Sequence, residues 1–439
     1  MSTAAPPGWR VAAGGSVSGA LSVPGDKSVS HRALMLGALA SGDTHISGFL
    51  NGEDCLATAR ALSALGVRIE HAADGDVRVH GAGAQGLQAP VAALDMGNAG
   101  TAMRLMMGVL APQRFAATLI GDESLMRRPM ERVAVPLRLM GARIATHQGR
   151  PPVEIEGTPQ LRAIQYLLPV ASAQVKSAIL IAALAAAGRT RVTEPAPSRD
   201  HTERMLTAFG VQVLHEGTTI ALEGGQELRG TAIAVPGDFS SAAFFLVAGA
   251  LAADSPLLLR NVGVNPTRTG LLDLLQRMGA DIRVQPRALG AGLEPVADIE
   301  VRRSALRGIS VPERLVPLAI DELPVFFIAA ACAQGETVVR GAHELRVKES
   351  DRLAAMAQGL ERLGVEHQLL PDGLWIRGAD SLNGGALDSR GDHRIAMAFA
   401  VAALRARAPI EIADVANVAT SFPGFTATAR AAGLAIEAL

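Results

Sequence analysis

Lysine is almost missing from this chain. Of 41 basic residues among 439, only three are lysines, Lys27, Lys176 and Lys348; the rest are arginines. All three fall in the motif stretches described below, where a compact point charge or a titratable amine serves better than a planar fork. Aromatic residues are scarce as well. One Tyr and two Trp make no stacking platform for bases, and a net charge of −1 gives no basic field for nucleic acid or an anionic membrane. The two cysteines, Cys55 and Cys332, build neither a disulfide framework nor a metal cluster, which points to a reducing cytosol and a cytoplasmic protein. The longest apolar runs, such as Ala242 to Ala253, stop at 12 residues, where a membrane span needs about 20. The opening Met1 to Arg10 carries no charged-then-apolar leader pattern. No zinc spacing, nucleophile elbow or Walker loop occurs. What is left is a globular composition, 49% apolar and 19% charged, too long for one ordinary core and so expected to form two or three domains.

What the chain does have is repetition. A hydrophobe, a glycine and a small hydrophobe close six helix patterns: Leu65-Gly66-Val67, Met140-Gly141-Ala142, Phe209-Gly210-Val211, Met278-Gly279-Ala280, Leu363-Gly364-Val365 and, more weakly, Ala432-Gly433-Leu434. The glycines are 75, 69, 69, 85 and 69 residues apart. Glycine suits a helix C-cap, and each follows an amphipathic pattern such as Asp351 to Leu363. Six openings also match: Gly25-Asp26-Lys27-Ser28, Gly97-Asn98-Ala99-Gly100-Thr101, Ser172-Ala173-Gln174, Gly237-Asp238-Phe239-Ser240, Asp321-Glu322-Leu323-Pro324 and Gly391-Asp392-His393-Arg394. Several carry N-cap residues, and each precedes a helix pattern apolar nearly all round, which must be buried.

The spacing therefore predicts six units of about 70 residues, each a strand, buried helix, strand, amphipathic helix and strand. We expect an α/β (α+β) fold in two lobes of three repeats. One lobe spans 24–236; the other combines 1–23 with 237–439, and its last sheet needs the N-terminal segment. The longer fifth unit predicts an extended loop in the Gly- and Ala-rich stretch from Ala288 to Pro295. Were the buried helices of each lobe parallel and the lobes facing, many helix N-termini would aim at one cleft and favour a multiply anionic ligand, phosphorylated or carboxylated.

Cations gather at those helix starts against expectation. A helix N-terminus already carries about half a positive charge, so a cation there costs about 0.3–1 kcal/mol unless an anion sits in front. Lys27, Arg32, Arg104, Lys176 and Arg394 lie at or near openings. Arg127 and Arg128 precede Pro129, a loop-to-helix entry. Ser198-Arg199-Asp200-His201-Thr202-Glu203-Arg204 begins another helix. Glu344 to Arg352 packs three cations and three acids into nine residues; on a helix, Lys348 and Arg352 would share a face at i,i+4, with Glu349 reaching Arg352 at i,i+3. His31, His201 and His393 fit hydrogen-bonded positioning groups better than bases or ligands. A cation-rich cleft with a few acids suits chemistry on phosphates and carboxylates by positioning, charge stabilisation and proton transfer. Asp321 and Glu349 are the acids placed for the proton work.

In order along the chain, Gly25-Asp26-Lys27-Ser28-Val29-Ser30-His31-Arg32, Gly97-Asn98-Ala99-Gly100-Thr101, Arg128-Pro129-Met130, Ser172-Ala173-Gln174, Arg346-Val347-Lys348-Glu349-Ser350-Asp351-Arg352, Asp392-His393-Arg394 and Ser421-Phe422-Pro423 resemble the 5-enolpyruvylshikimate-3-phosphate synthase family. The resemblance covers essentially the whole chain. It implies a two-lobed inverse α/β barrel and transfer of the enolpyruvyl group of phosphoenolpyruvate to the 5-hydroxyl of shikimate 3-phosphate. The reaction passes by addition and elimination through a tetrahedral intermediate, with no metal or organic cofactor. It implies Lys27, Ser28, Arg32, Ser172, Gln174, Arg199, Asp321 and Lys348 on the shikimate 3-phosphate side. Lys27, Gly100, Arg128, Gln174, Arg352 and Arg394 fall on the phosphoenolpyruvate side. Asp321 is similar to the base that takes the 5-hydroxyl proton; Glu349 and Lys27 are similar to the groups handling the methylene proton and the leaving phosphate. A monomer with small-molecule partners, and no nucleic acid or membrane partner, is implied.

The chain departs from the family pattern in places. Ala173 stands where many members have Ser, Leu105 where many have Pro, and Thr420 where many have Lys, a lost cation that Arg199 could replace. The Ser-Ala-Gln and Arg-Asp-His-Thr-Glu forms resemble the family's second class, in which an Ala replaces Gly at the position of Gly100 in herbicide-tolerant members. With Gly100, inhibition by glyphosate is expected. Two rivals stand beside this. The sister enzyme that transfers the same group to UDP-N-acetylglucosamine carries a mobile-loop Cys, and no Cys lies between Cys55 and Cys332. A non-catalytic anion-binding protein on the same fold would have no need of both Asp321 and Glu349.

Overall fold

Helices with apolar residues on every side have to be enclosed. A computed structural model describes residues 8–73, 75–287 and 294–439, and six such helices form its interior: Lys27–Leu39, Gly100–Leu110, Ala173–Ala183, Phe239–Ala252, Leu323–Ala331 and His393–Ala402. Every residue of Phe239–Ala252 is buried. Asp26, Ser172, Asp238 and Asp392 act as N-caps, their side chains accepting hydrogen bonds from Val29, Val175, Ser240 and Arg394. The other two helices start without a side-chain cap. The amphipathic helices end at the repeated glycines, and Gly66, Gly141, Gly210, Gly279, Gly364 and Gly433 all take positive φ. That backbone conformation strains any residue with a Cβ.

Each repeat wraps its buried helix in a small sheet. In the second repeat, Leu94–Asp95 and Ala116–Ile120 run parallel on either side of the Gly100–Leu110 helix in sequence, as a crossover requires. Arg150–Glu156 and Arg143–His147 then add antiparallel. The third repeat repeats this order with Gln165–Leu167, Arg189–Thr193, Thr219–Glu223 and Val213–Glu216. Strand residues alternate in and out, as in Val296–Arg302, so the sheets lie outside and the helices inside. This is the inverse α/β arrangement, made of six repeats.

Two strands change places. Val17–Ser22 precedes the first buried helix, yet pairs parallel with Ala253–Gly263 of the fourth repeat. Ala232–Ala234 precedes the fourth buried helix, yet pairs parallel with Ser41–Ser47 of the first. The last sheet takes Gly8–Val11 between Ile410–Ala413 and Ile436–Ala438, antiparallel to both.

The chain divides into two compact units, and each has its own hydrophobic core. Among the described residues, a central unit holds 25–235 with Glu294; a discontinuous unit holds 8–24, 236–287 and 295–439. The core of the latter gathers Trp9, Phe244, Phe245, Phe422 and Phe425, with the Trp9 and Phe425 rings stacked 5.2 Å apart. The extended loop expected between Ala288 and Pro295 lies, at residues 288–293, outside the described residues. Among the described residues no helix is long and apolar enough to cross a membrane.

Candidate active site

In the central unit the first turns of the three buried helices meet. Arg104 Nη1 donates to Gln174 Oε1 at 2.6 Å, Gln174 Nε2 donates to Thr101 Oγ1 at 2.8 Å, and Arg32 Nη2 donates to Ser177 Oγ at 3.0 Å. These residues lie in the first two turns of their helices, so three positive dipole ends sit together. Lys27 begins its helix with Nζ 3.0 Å from Asp54 Oδ2. Arg32 is only 2% exposed. Its hydrogen bonds go to neutral oxygens: Nε to Thr202 Oγ1 at 2.7 Å, Nη1 to the Ser28 carbonyl at 2.9 Å, and Nη2 to Ser177. Burial pushes its pKa down to about 10, partly offset by the Glu203 charge. A buried guanidinium bonded only to neutral oxygens is costly, and an arriving anion would relieve it.

Gly100 opens the second helix beside Arg128. A Cβ added there would lie 2.9 Å from Arg128 Nη1. Arg128 donates through Nη2 to Asn98 Oδ1 at 2.6 Å and to Ser124 Oγ at 3.2 Å. The structure separates the two neighbouring arginines by burial. Arg128 is 7% exposed, whereas Arg127 is 65% exposed and pairs with Glu123 at 2.7 Å. Ser172 caps the third helix, and Arg199 lies half-buried just before the His201–Ala208 helix.

The discontinuous unit repeats the convergence with acids added. Ser240 donates to Glu322, and Arg394 Nη1 donates to the Asp321 carbonyl at 3.0 Å, so its three buried helices also begin together. Arg352 is 1% exposed. Its Nε donates to Asp392 Oδ2 at 2.8 Å, its Nη2 to Glu349 Oε2 at 2.6 Å, and its Nη1 to Asp321 Oδ1 at 3.3 Å. Burial alone would lower the Arg352 pKa; Asp392, Glu349 and Asp321 together raise it above the usual arginine value. Lys348 Nζ lies 3.4 Å from the same Asp321 oxygen, so the Asp321 carboxylate is flanked by two cations.

Lys348 corrects one expectation. It does not share a helix face with Arg352: a 3₁₀ turn ends at Val347, Lys348 is extended, and the helix starts at Arg352 with Asp351 as its cap. The shared carboxylate of Asp321, not helical spacing, brings the two cations together. Lys176 also differs from Lys27 and Lys348. It is 1% exposed and sits 2.7 Å from both Glu194 and Glu203. Burial would lower its pKa, but the two glutamates raise it above the usual lysine value.

Several partners were not visible in the sequence. Asp54, which holds Lys27, reads only as the acidic first turn of a second helix. Asp392 reads as an N-cap, with no hint that it grips Arg352. Arg268, in no motif, is buried against Ser240 at 2.6 Å and Asp238 at 3.4 Å.

His31 and His393 are hydrogen-bonded. His31 Nδ1 lies 2.8 Å from Thr58 Oγ1, and His393 Nε2 lies 3.2 Å from Ser421 Oγ. Burial, then Lys27 and Arg32, hold the His31 pKa well below its ordinary 6.5. The unfolded chain thus binds a proton that the folded chain refuses. The resulting stability is complete above about pH 6.5 and is lost as pH falls toward the depressed folded value. Between pH 7.5 and 5.5, His31→Gln is expected to lose about 1 kcal/mol less stability than wild type in urea unfolding. Equal losses in the two proteins would contradict this.

Residues 11–428 match the family model described as EPSP synthase (3-phosphoshikimate 1-carboxyvinyltransferase). A 3-phosphoshikimate 1-carboxyvinyltransferase from Methylococcus capsulatus is 58% identical over 97% of this chain and 97% of its own length. A solved EPSP synthase from Acinetobacter baumannii is 53% identical with a TM-score of 0.88, covering 98% of this chain and 99% of its own. The enolpyruvyl transferase NikO from Streptomyces tendae, 19% identical with a TM-score of 0.80 over 98% of each chain, shares the fold alone.

Proposed function

The chain belongs to the EPSP synthase family, and from that premise we propose that it transfers the enolpyruvyl group of phosphoenolpyruvate to the 5-hydroxyl of shikimate 3-phosphate, a step toward chorismate and the aromatic amino acids. The observation that carries this is the match of one family over nearly the whole chain, together with a carboxylate, Asp321, held between Lys348 and Arg352.

In the central unit, Lys27, Ser28, Arg32, Ser172, Gln174 and Arg199 take shikimate 3-phosphate, and Lys27, Gly100, Arg128 and Gln174 take phosphoenolpyruvate. In the discontinuous unit, Lys348 supports the first substrate, while Arg352 and Arg394 hold the second. Asp321 accepts the 5-hydroxyl proton as that oxygen bonds to C2 of phosphoenolpyruvate, and Glu349 or Lys27 gives a proton to the C3 methylene. In elimination a proton leaves the new methyl group, the double bond returns and phosphate departs from C2. Glu349 and Lys27 handle the methylene proton in both directions and the leaving phosphate. The enzyme acts as a cytosolic monomer.

Phosphate release from phosphoenolpyruvate is expected with shikimate 3-phosphate as acceptor and not with UDP-N-acetylglucosamine. Release with the nucleotide sugar alone would move the chain to the sister activity. No release with either acceptor, despite phosphoenolpyruvate binding, would leave an anion-binding protein.

The glycine at position 100 makes a second prediction. An alanine methyl 2.9 Å from Arg128 Nη1 displaces the far end of a flexible side chain, so folding survives but the cation moves. Gly100→Ala is expected to raise KM for phosphoenolpyruvate about tenfold and leave KM for shikimate 3-phosphate within about twofold. Glyphosate is expected to inhibit the wild type and to inhibit the variant less. Unchanged wild-type activity in millimolar glyphosate would contradict the first of these.

A further inference from the structure

We propose that Lys176, Glu194 and Glu203 form a positioning cluster that sets the Ser198–Thr202 segment and the Arg32 guanidinium for the anionic groups of shikimate 3-phosphate. The proposal rests on the substrate assignment above and on contacts within the central unit alone. All three charges are buried, and two carboxylates share one ammonium at 2.7 Å each. A fold seeking only stability could fill such a volume with apolar side chains at no loss, so the placement calls for another explanation.

The cluster reaches the anion-binding residues by two routes. Glu194 accepts from the Ser198 hydroxyl, and Lys176 Nζ lies 3.5 Å from the Ser198 carbonyl. The residue before Arg199 is thereby held by side chain and backbone together. On the other side, Lys176 and Glu203 are the sequence neighbours of Ser177 and Thr202. Thr202 donates to Ser177 at 2.7 Å, so an ion pair and a hydroxyl pair join the same two helix starts. Those two hydroxyls receive Arg32 Nε and Nη2, while Ser28 takes one Nη1 proton. One N–H on each terminal nitrogen is left over, a fork that a carboxylate or phosphate can accept.

Charge points the same way. Two glutamates and one lysine leave the cluster net negative, and Glu203 is the largest influence supporting the Arg32 charge against burial. Because neither glutamate bonds to Arg32, that support comes without occupying its fork. A lysine is needed here because a compact ammonium donates in several directions from one point.

The test is calorimetric binding of shikimate 3-phosphate, which needs no turnover, combined with KM for both substrates. Lys176→Met leaves two buried carboxylates without their cation. Its affinity for shikimate 3-phosphate is expected to fall about tenfold or more, with KM for phosphoenolpyruvate within about threefold. Adding Glu203→Gln restores the wild-type cluster charge and is expected to recover most of the loss. Glu194→Gln keeps the volume and one acceptor, so it serves if Lys176→Met does not fold; it is expected to raise KM for shikimate 3-phosphate about threefold. A cluster serving stability alone would lower the melting temperature and leave both KM values unchanged. That result, an equal rise in both KM values, or tighter shikimate 3-phosphate binding by Glu194→Gln would overturn the proposal. Wild-type protein that binds no shikimate 3-phosphate would instead overturn the substrate assignment.

Discussion

Asp321→Asn is expected to lower turnover about a thousandfold, within the range lost when a positioned general base is removed, while the protein still folds and binds phosphoenolpyruvate. The Asp321 carboxylate lies 3.3 Å from Arg352 and 3.4 Å from Lys348. Asparagine keeps the shape and one acceptor oxygen but cannot take the hydroxyl proton. Arg352 retains Asp392 and Glu349, so the ion cluster keeps counter-charges, and losing one negative charge disfavours neither anionic substrate. The deficit should therefore fall on kcat. Single-turnover phosphate release with saturating substrates would measure it directly. A loss under tenfold would remove Asp321 from the proton-transfer step and leave it a partner of the two cations.

Arg352→Met is expected to cost about 3–5 kcal/mol of stability, as in breaking a buried ion pair from one side. Its effect exceeds that of any surface ion pair here, because exposed pairs such as Arg127–Glu123 contribute about 0–1 kcal/mol. The side chain is buried and binds three carboxylates through three different nitrogens. Methionine fills the volume but leaves Asp392 and its neighbours uncompensated. Lysine supplies the charge from a single atom and cannot reproduce the three directions, so Arg352→Lys is expected to recover less than half of the loss. Hydrogen exchange should show the weakening in the discontinuous unit, with the central unit protected as in wild type. Wild-type protection throughout would show that the cluster rearranges without penalty.

Much of the architecture was legible because it is local. The six C-cap glycines declare the repeat, and all six take positive φ. The helix openings were legible because runs such as Phe239–Ala252 have no polar face. Pairings across distance were not. Which sheet accepts Val17–Ser22 depends on a partner more than 230 positions away, at Ala253–Gly263, and periodicity carries no such information. The site shows the same limit. Lys27, Lys176 and Lys348 look alike in sequence, yet they meet one aspartate, two buried glutamates and a second aspartate respectively. Helical spacing suggested the nearness of Lys348 and Arg352, but the helix begins only at Arg352 and the contact comes through Asp321.

The strand Gly8–Val11 also carries a consequence for biosynthesis. Its neighbours are Ile410–Ala413 and Ile436–Ala438, with Arg10 opposite Glu411 on one side and Glu437 on the other. A ribosome adding about 5–20 residues per second delivers the first partner tens of seconds at the least after this strand emerges. All of the central unit is synthesised in between. The central unit is thus able to fold on the translating ribosome, while the discontinuous unit waits for both of its ends. Its closure is a long-range step of the kind that makes folding slow, and during that wait Gly8–Val11 is an unpaired edge exposed to whatever else can pair with it.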